Sequence, residues 1–379
     1  MLKRFTVKNY KNFKDEISLD FSKIAGYQFN KDCLSMGLIG KMLIYGRNAT
    51  GKTNFGRALL DIKILLYGMF RNDENSVLIN ADSQEDTAKF IYEFQFGSDE
   101  VIYTYSRFAN TELCDEELYI NGEVVFKCDF KNSKFYFQGL SIISAETVNT
   151  NRYLNKGEMD NEYVLPFLRW FINNTAFSDN SVLIKLSKYV RKMDLITVSN
   201  NNQIHLSMFS YRKFFEDLKN PVYLHNFEDF LNLMGIECKL VLQELPDGQV
   251  ELYFSHKKLV PFYRTASSGT LALTSLYQKI VSKAVDSSLI YLDEFDAFYH
   301  YEMAEKLISF FKNKYPECQF IMTSHNTNLM TNKIMRPDCL FILSSRGTLT
   351  ALCDATEREL REGHNLEKMY ISGEFEKYE

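Results

Sequence analysis

Gly46-Arg47-Asn48-Ala49-Thr50-Gly51-Lys52-Thr53-Asn54 fits the phosphate-binding pattern G-x-x-x-x-G-K-[ST] without a mismatch. The apolar run before it, Met42 to Tyr45, reads as a short buried strand. Behind it Phe55, Leu59, Ile62 and Leu66 recur at helical spacing, which predicts one helix over Phe55 to Tyr67 and places the motif at a strand-to-helix turn. Glycines at 46 and 51 let successive N–H groups curl around an anion, and the positive end of a helix beginning near Lys52 adds to the field on a bound phosphate. The expected cradle for a bound nucleotide is therefore Gly46 with Asn48, Ala49, Thr50, Gly51, Lys52, Thr53 and Asn54. Within it Lys52 reaches the β- and γ-phosphates, and the Thr53 hydroxyl is a ligand of Mg2+.

The 379 residues are 45% apolar and 15% aromatic, enough for a large core and two or three structural units. Thirty-one Phe and 23 Tyr against only six Pro argue against long linkers. No apolar stretch approaches the roughly 18 residues that suggest a membrane span, and no signal-peptide core opens the chain, so the expectation is a cytoplasmic protein without a membrane partner. Seven scattered cysteines without C-x-x-C and six histidines without ligand spacing give neither a disulfide framework nor a zinc site. A net charge of −5 disfavours nucleic-acid binding through the whole surface. Lys185, Lys188, Arg191 and Lys192 fall within two turns of a predicted helix, a solvated face or a local nucleic-acid stripe.

Two short strands precede the phosphate loop, the second over Ile17 to Phe21. After the loop helix the period becomes two: Phe90 to Phe96 and Val101 to Phe108 read as strands, and Asn121-Gly122 joins two more in a type I′ hairpin. Ser141 to Ala145 is a further buried strand candidate, followed by a polar loop from Glu146 to Glu162. From Tyr163 to about Met234 the period is helical without sustained heptads, and Cys238 to Gln243 with Gln249 to Phe254 flank a second hairpin at Asp247-Gly248. The domain reading is an N-terminal lobe over 1–150, a helical insertion over 151–235 and a C-terminal lobe over 236–379.

Leu289 to Leu292 is an apolar strand ending in Asp293 and Glu294. Where the chain turns, Asp293 can reach the Mg2+ shell and Glu294 can face the attacking water as general base. A second apolar strand, Gln319 to Met322, ends in Thr323-Ser324-His325, from which His325 could bond a γ-phosphate oxygen or that water. Ala266-Ser267-Ser268-Gly269-Thr270 precedes a helical run from Leu271 to Ala284, readable as a second anion-binding helix start or as an ordinary cap.

In this order, the opening run Asn9-Tyr10-Lys11-Asn12-Phe13, the phosphate loop, Ser-Ser-Gly-Thr, apolar-Asp-Glu and Thr-Ser-His resemble the ABC-class ATPase heads of the SMC, RecF and OLD-type families. The resemblance implies an α/β P-loop NTPase of the ABC-ATPase head type, with an antiparallel β subdomain and a helical insertion. It also implies ATP and Mg2+ as cofactors and head-to-head dimers in which Ser267 and Gly269 complete the nucleotide site of the other copy. Asp296 and His300 would by the same analogy lie near the subunit interface, and Gln138 is a positional candidate for a Mg2+-contacting glutamine. The ending, His364 to Phe375, resembles small stand-alone AAA-family ATPases of prokaryotic phage-defence and abortive-infection systems.

These readings predict an ATP-hydrolysing switch. Only 54 residues follow His325, too few for the nuclease domain of OLD-type proteins, so the expected effector is a separate chain docked on the helical region or a sheet edge. The alternative is a RecF- or SMC-like DNA-maintenance ATPase that clamps nucleic acid through the basic stripe. A scaffold that binds ATP without turning it over is a third reading, against which Asp293, Glu294 and His325 argue.

Overall fold

The computed structural model describes residues 1–68, 78–110, 112–143, 145, 148–154, 165–197, 214–246, 248–284 and 287–379. Strands are numbered along the chain. One layer is a six-stranded sheet in the order β11-β15-β16-β5-β17-β18. It comprises β5 (Lys41–Tyr45), β11 (Met193–Thr197), β15 (Leu289–Asp293), β16 (Gln319–Ser324), β17 (Leu340–Leu343) and β18 (Leu349–Ala351). The first five in this order run parallel, and β18 alone is antiparallel. Every residue of β5, β15 and β16 is buried, which is why each carries a continuous apolar run, Met42 to Tyr45, Leu289 to Leu292 and Phe320 to Met322, rather than an alternating pattern.

Register explains why distant motifs meet. Leu292 is level with Met322, and Met322 with Leu43, so the strand ends bearing Asp293, Ser324 and Tyr45 share one edge of the sheet. That carboxyl edge is where parallel α/β sheets place ligands.

The second layer is a seven-stranded antiparallel sheet in the order β10-β9-β8-β7-β6-β1-β2. It is built from β1 (Leu2–Lys8), β2 (Ile17–Asp20), β6 (Thr87–Phe96), β7 (Asp99–Phe108), β8 (Leu113–Ile120), β9 (Glu123–Asp129) and β10 (Lys134–Tyr136). Asn121 and Gly122 take φ of 51° and 81°, as a type I′ turn demands. The remaining strands are β3 (Leu34–Ser35) with β4 (Leu38–Ile39), and an antiparallel trio of β12 (Leu240–Glu244), β13 (Val250–Ser255) and β14 (Leu259–Pro261). The trio leads directly into the helices Phe262–Thr265 and Ser268–Ala284.

Helix α1 (Lys52–Leu59) lies between the two layers. Its Phe55 packs edge-on against Phe5 of β1, ring centroids 5.6 Å apart. Its Gly56 lies under Tyr291 of β15 so closely that a Cβ would come within 2.5 Å of that ring. The Tyr291 hydroxyl then donates to the Lys52 carbonyl at 2.6 Å, tying the acidic strand to the start of the helix. Buried Gln319 of β16 joins the layers elsewhere: its Nε2 donates to Leu2 O and its Oε1 accepts from Leu2 N, both at 3.0 Å. Among the described residues no helix is long and apolar enough to cross a membrane.

Four local expectations change. The loop helix is two helices, α1 and α2 (Asp61–Tyr67), parted at Leu60; buried Asp61 starts the second because its carboxylate is engaged by Tyr105 and Arg107 of β7. Of the strand expected at 141–145, residues 141–143 belong instead to a 3-10 turn, Gln138–Ile143, packed on β9, with Leu140 N bonded to Phe137 O rather than to a neighbouring strand. The helical stretch after 163 contains β11, which adds to the edge of the parallel sheet by pairing with β15. Of the polar loop expected from 146 to 162, the described part includes a short helix, Asn151–Leu154. Position 144 of the expected strand, the rest of that loop at 146–147 and 155–162, the parts of the helical stretch at 163–164 and 198–213, and the tip of the second hairpin at Asp247 lie outside the described residues.

Candidate nucleotide site

The phosphate loop leaves β5 at Tyr45 and enters α1 at Lys52. Gly51 takes φ 103° and no side chain caps the helix, so the first N–H groups of α1 keep their donors for a ligand. Lys52 Nζ folds back over the loop, donating to Gly46 O at 2.7 Å and Arg47 O at 3.1 Å. Burial lowers its pKa, opposed by the charges of Glu294, Asp293 and Asp296. Thr50 Oγ1 closes the turn by donating to Arg47 O at 3.0 Å, while Asn48 and Ala49 are exposed at its tip. Ala49 holds φ 65°, a left-handed conformation that costs a residue with a Cβ roughly 1–2 kcal/mol.

The acidic strand end meets this loop through hydroxyls. Thr53 Oγ1 donates to Asp293 Oδ2 at 2.6 Å, so the two expected Mg2+ ligands are already in direct contact. Thr323 Oγ1 donates to Asp293 Oδ1 at 2.9 Å and accepts from Glu294 N at 2.8 Å. Glu294 sits half-buried at φ 50°, outside the usual range for a residue with a side chain, and the Thr323 bond holds it there. This bend carries its side chain out of the line of β15. His325 is exposed at the end of the adjacent β16. Lys52, Thr53, Asp293, Glu294 and His325 thus converge on one edge of one sheet.

Ser267 and Gly269 belong to another turn, at the start of the helix Ser268–Ala284. Ser267 Oγ accepts from Thr270 N at 3.1 Å and pairs with Thr270 Oγ1 at 2.9 Å, a cap on the helix Ser268–Ala284. Among the described residues none of the hydrogen bonds of Ser267 reaches the phosphate loop. A Cβ added at Gly269 would meet nothing nearer than Phe298 O at 3.5 Å, so packing within this chain does not require a glycine there. Of the two residues expected near a subunit interface, His300 is exposed, but Asp296 is buried and bonded to Ser324. Gln138 starts the 3-10 turn on β9, four strands away from β1 in the antiparallel sheet.

Two residues of the site carry no motif signal of their own. Asn12, in the connection between β1 and β2, donates to Thr50 O at 3.1 Å and accepts from Asn54 Nδ2 at 2.7 Å. Its amide lies 2.2 Å from where a Cβ on Gly51 would be, so the second glycine of the loop is needed for this clamp as well as for its φ. Thr323 is the other, the hinge between both acidic residues. Only the opening run as a whole and the Thr-Ser-His grouping hinted at them.

The cradle fits a nucleotide and its metal: α1 offers uncapped N–H groups, Lys52 lies over the loop, and Thr53 with Asp293 supplies the hard oxygen donors that Mg2+ takes.

Several solved structures resemble the chain at low identity. One is described as the SmcHead bound to the C-winged helix domain of ScpA, at 16% identity and TM-score 0.48, covering 93% of this chain and 97% of that one. A second is the SMC head domain from Thermotoga maritima, at 14% and 0.47, with 92% and 98% covered. A third is the Smc head domain with an extended coiled coil bound to the C-terminal domain of ScpA derived from Pyrococcus furiosus, at 15% and 0.46, with 93% and 96% covered. No curated protein matches. A family model described as AAA domain, putative AbiEii toxin, Type IV TA system matches residues 41–331, more than half of the chain, and the chain belongs to that family of P-loop ATPases.

Proposed function

We propose that the protein is a Mg2+-dependent ATPase that closes head to head on two nucleotides and thereby controls a separate effector chain in prokaryotic anti-phage defence. The observation that carries the hydrolytic part is the bonded series Thr53–Asp293–Thr323–Glu294 beside Lys52. Lys52 exchanges its loop carbonyls for the β- and γ-phosphate oxygens, where its positive charge offsets the charge that develops during transfer. Thr53 and Asp293 would hold Mg2+, which when bound neutralises the phosphate oxygens. Glu294 takes the proton of the attacking water, and His325 orients that water or a γ-phosphate oxygen.

Closure in trans is supported by the Ser267–Gly269 turn. Its Ser267 is exposed, and the turn starts a 17-residue helix without bonding to its own phosphate loop. A second copy would bring its own such turn to this nucleotide. A place in such a system is supported by the family description, AAA domain, putative AbiEii toxin, Type IV TA system.

A second reading, a clamp on DNA, is favoured by Lys185, Lys188 and Arg191, all exposed on the helix Val182–Arg191. Its binding should weaken steeply as salt rises.

The test is Glu294→Gln, purified with ATP and Mg2+ from its own host. Turnover should fall about 10²–10⁴-fold with nucleotide binding retained. Native mass spectrometry should show an ATP-bound dimer holding a stoichiometric second polypeptide. Undiminished hydrolysis removes Glu294 as the base. A monomer carrying ATP overturns head-to-head closure, and a dimer carrying nucleic acid in place of a polypeptide selects the DNA reading.

A further inference from the structure

The turn after β15 and the turn after β16 are laced together beyond the acidic pair. Phe295 N donates to Thr323 O at 3.2 Å. One residue on, Asp296 Oδ2 accepts from Ser324 Oγ at 2.7 Å, and the same Ser324 Oγ accepts from Asn326 N at 2.9 Å. Asp296 is 6% exposed and Ser324 fully buried, whereas His325 between Ser324 and Asn326 is exposed to solvent. The other carboxylate oxygen, Oδ1, is buried without a well-formed hydrogen bond. A carboxylate in such a place carries a desolvation cost.

We propose that Asp296 is a positioning residue for His325: through Ser324 it fixes the backbone on both sides of the histidine and so sets where the imidazole meets the nucleotide. This rests on the ATPase reading above, in which His325 acts at the γ-phosphate. It differs from an interface role for Asp296, since the side chain faces its own chain. Burial raises the pKa of this carboxyl, against which Ser324, His325 and the Asn326 side chain favour the charge.

The experiment compares Asp296→Ala, Asp296→Asn, His325→Ala and the double alanine variant in steady-state ATP hydrolysis, alongside the imidazole NMR signals of the six-histidine protein. His325→Ala identifies the His325 signal. Asp296→Ala should lower kcat about 10-fold or more with KM within about twofold, and Asp296→Asn, which keeps an acceptor for Ser324, should recover most of it. The double variant should be no slower than His325→Ala, because both changes remove one function. The His325 signal should shift in Asp296→Ala with or without ATP. An unmoved His325 signal, or additive losses in the double variant, would overturn the proposal. If His325→Ala hydrolyses normally while the signal still shifts, the positioning stands and the assigned role of His325 in hydrolysis fails.

Discussion

Two regions of the molecule hold buried carboxylates whose partners differ in kind. In the antiparallel lobe Asp61 accepts from Arg107 Nη1 at 2.6 Å and Tyr105 OH at 2.8 Å. Glu116 accepts from Phe167 N at 2.6 Å, Leu168 N at 2.9 Å and Tyr103 OH at 2.8 Å, and so caps the helix Phe167–Asn174 from β8. At the strand ends of the parallel sheet, Asp293 and Asp296 accept from Thr53, Thr323 and Ser324. The lobe uses a cation, backbone N–H groups and fully buried phenols, none of which can turn away without loss. The nucleotide edge uses small hydroxyls, of which that of Thr53 can rotate from Asp293 toward a ligand while buried Thr323 and Ser324 hold the two turns. The same side-chain chemistry is therefore structural where its donors are fixed and functional where they are exchangeable.

Removing the fixed cation tests the first half of this contrast. Arg107→Met leaves Asp61 buried without its counter-charge, and the expected loss is about 3–5 kcal/mol of unfolding free energy in urea titrations. The molecules that remain folded should bind nucleotide as before, because the pair joins α2 to β7 rather than holding the phosphate loop. A loss below about 1 kcal/mol would place the pair with ordinary surface ion pairs and break the comparison.

Glu116 gives a smaller effect with a defined sign. Burial pushes its carboxyl from 4.5 to about 7 despite its three donors. Between those values the unfolded chain has released this proton while the folded chain still holds it, so fewer protons are bound unfolded and stability falls as pH rises through the window. The contribution is fully favourable below about 4.5 and lost above about 7. Glu116→Gln, which stays neutral, should flatten that part of the stability–pH curve measured by denaturant titration at several pH values. An equal slope in wild type and variant would show that the fixed donors hold Glu116 ionised throughout.

The contrast also shows what the amino-acid sequence could disclose. β5, β15 and β16 were legible because strands buried on both faces must be apolar throughout, and their final polar residues then stand out. The Asn121-Gly122 hairpin was legible because few residue pairs accept two positive φ values. β11 was not, since five residues flanked by helical periodicity become a strand only through pairing with β15, nearly a hundred positions later. Asn12 and Thr323 were equally hidden: each acts through a contact set by register, and nothing local distinguishes an asparagine that clamps a loop from one in any turn. Asp296 was read by analogy as near a subunit interface; its bond to Ser324 depends on register too and had no local signal.

The smallest predicted effect concerns backbone strain. The hairpin of the antiparallel lobe meets its left-handed positions with Asn121 and Gly122, residues suited to them, whereas the nucleotide edge puts Ala49 and Glu294 at φ of 65° and 50°. Lys11, Met36 and Ser133 hold similar values elsewhere, at 50°, 49° and 53°, so a left-handed backbone alone does not mark the site, and a variant has to show what it does there. Ala49→Gly removes an exposed methyl and the cost of its left-handed backbone, offset partly by the greater freedom of glycine in the unfolded chain. The expected gain is about 0.5–1 kcal/mol in denaturant titrations, while Asn121→Gly, relieving almost nothing, should change stability by only a few tenths. Nucleotide affinity decides what the strain is for. If Ala49 holds the loop in its phosphate-binding shape, the glycine variant will be more stable yet bind ATP more weakly, because the freed loop must be ordered by the ligand. Equal affinity with equal stability would mean that the loop is held by the Asn12 clamp and the Thr50 bond alone.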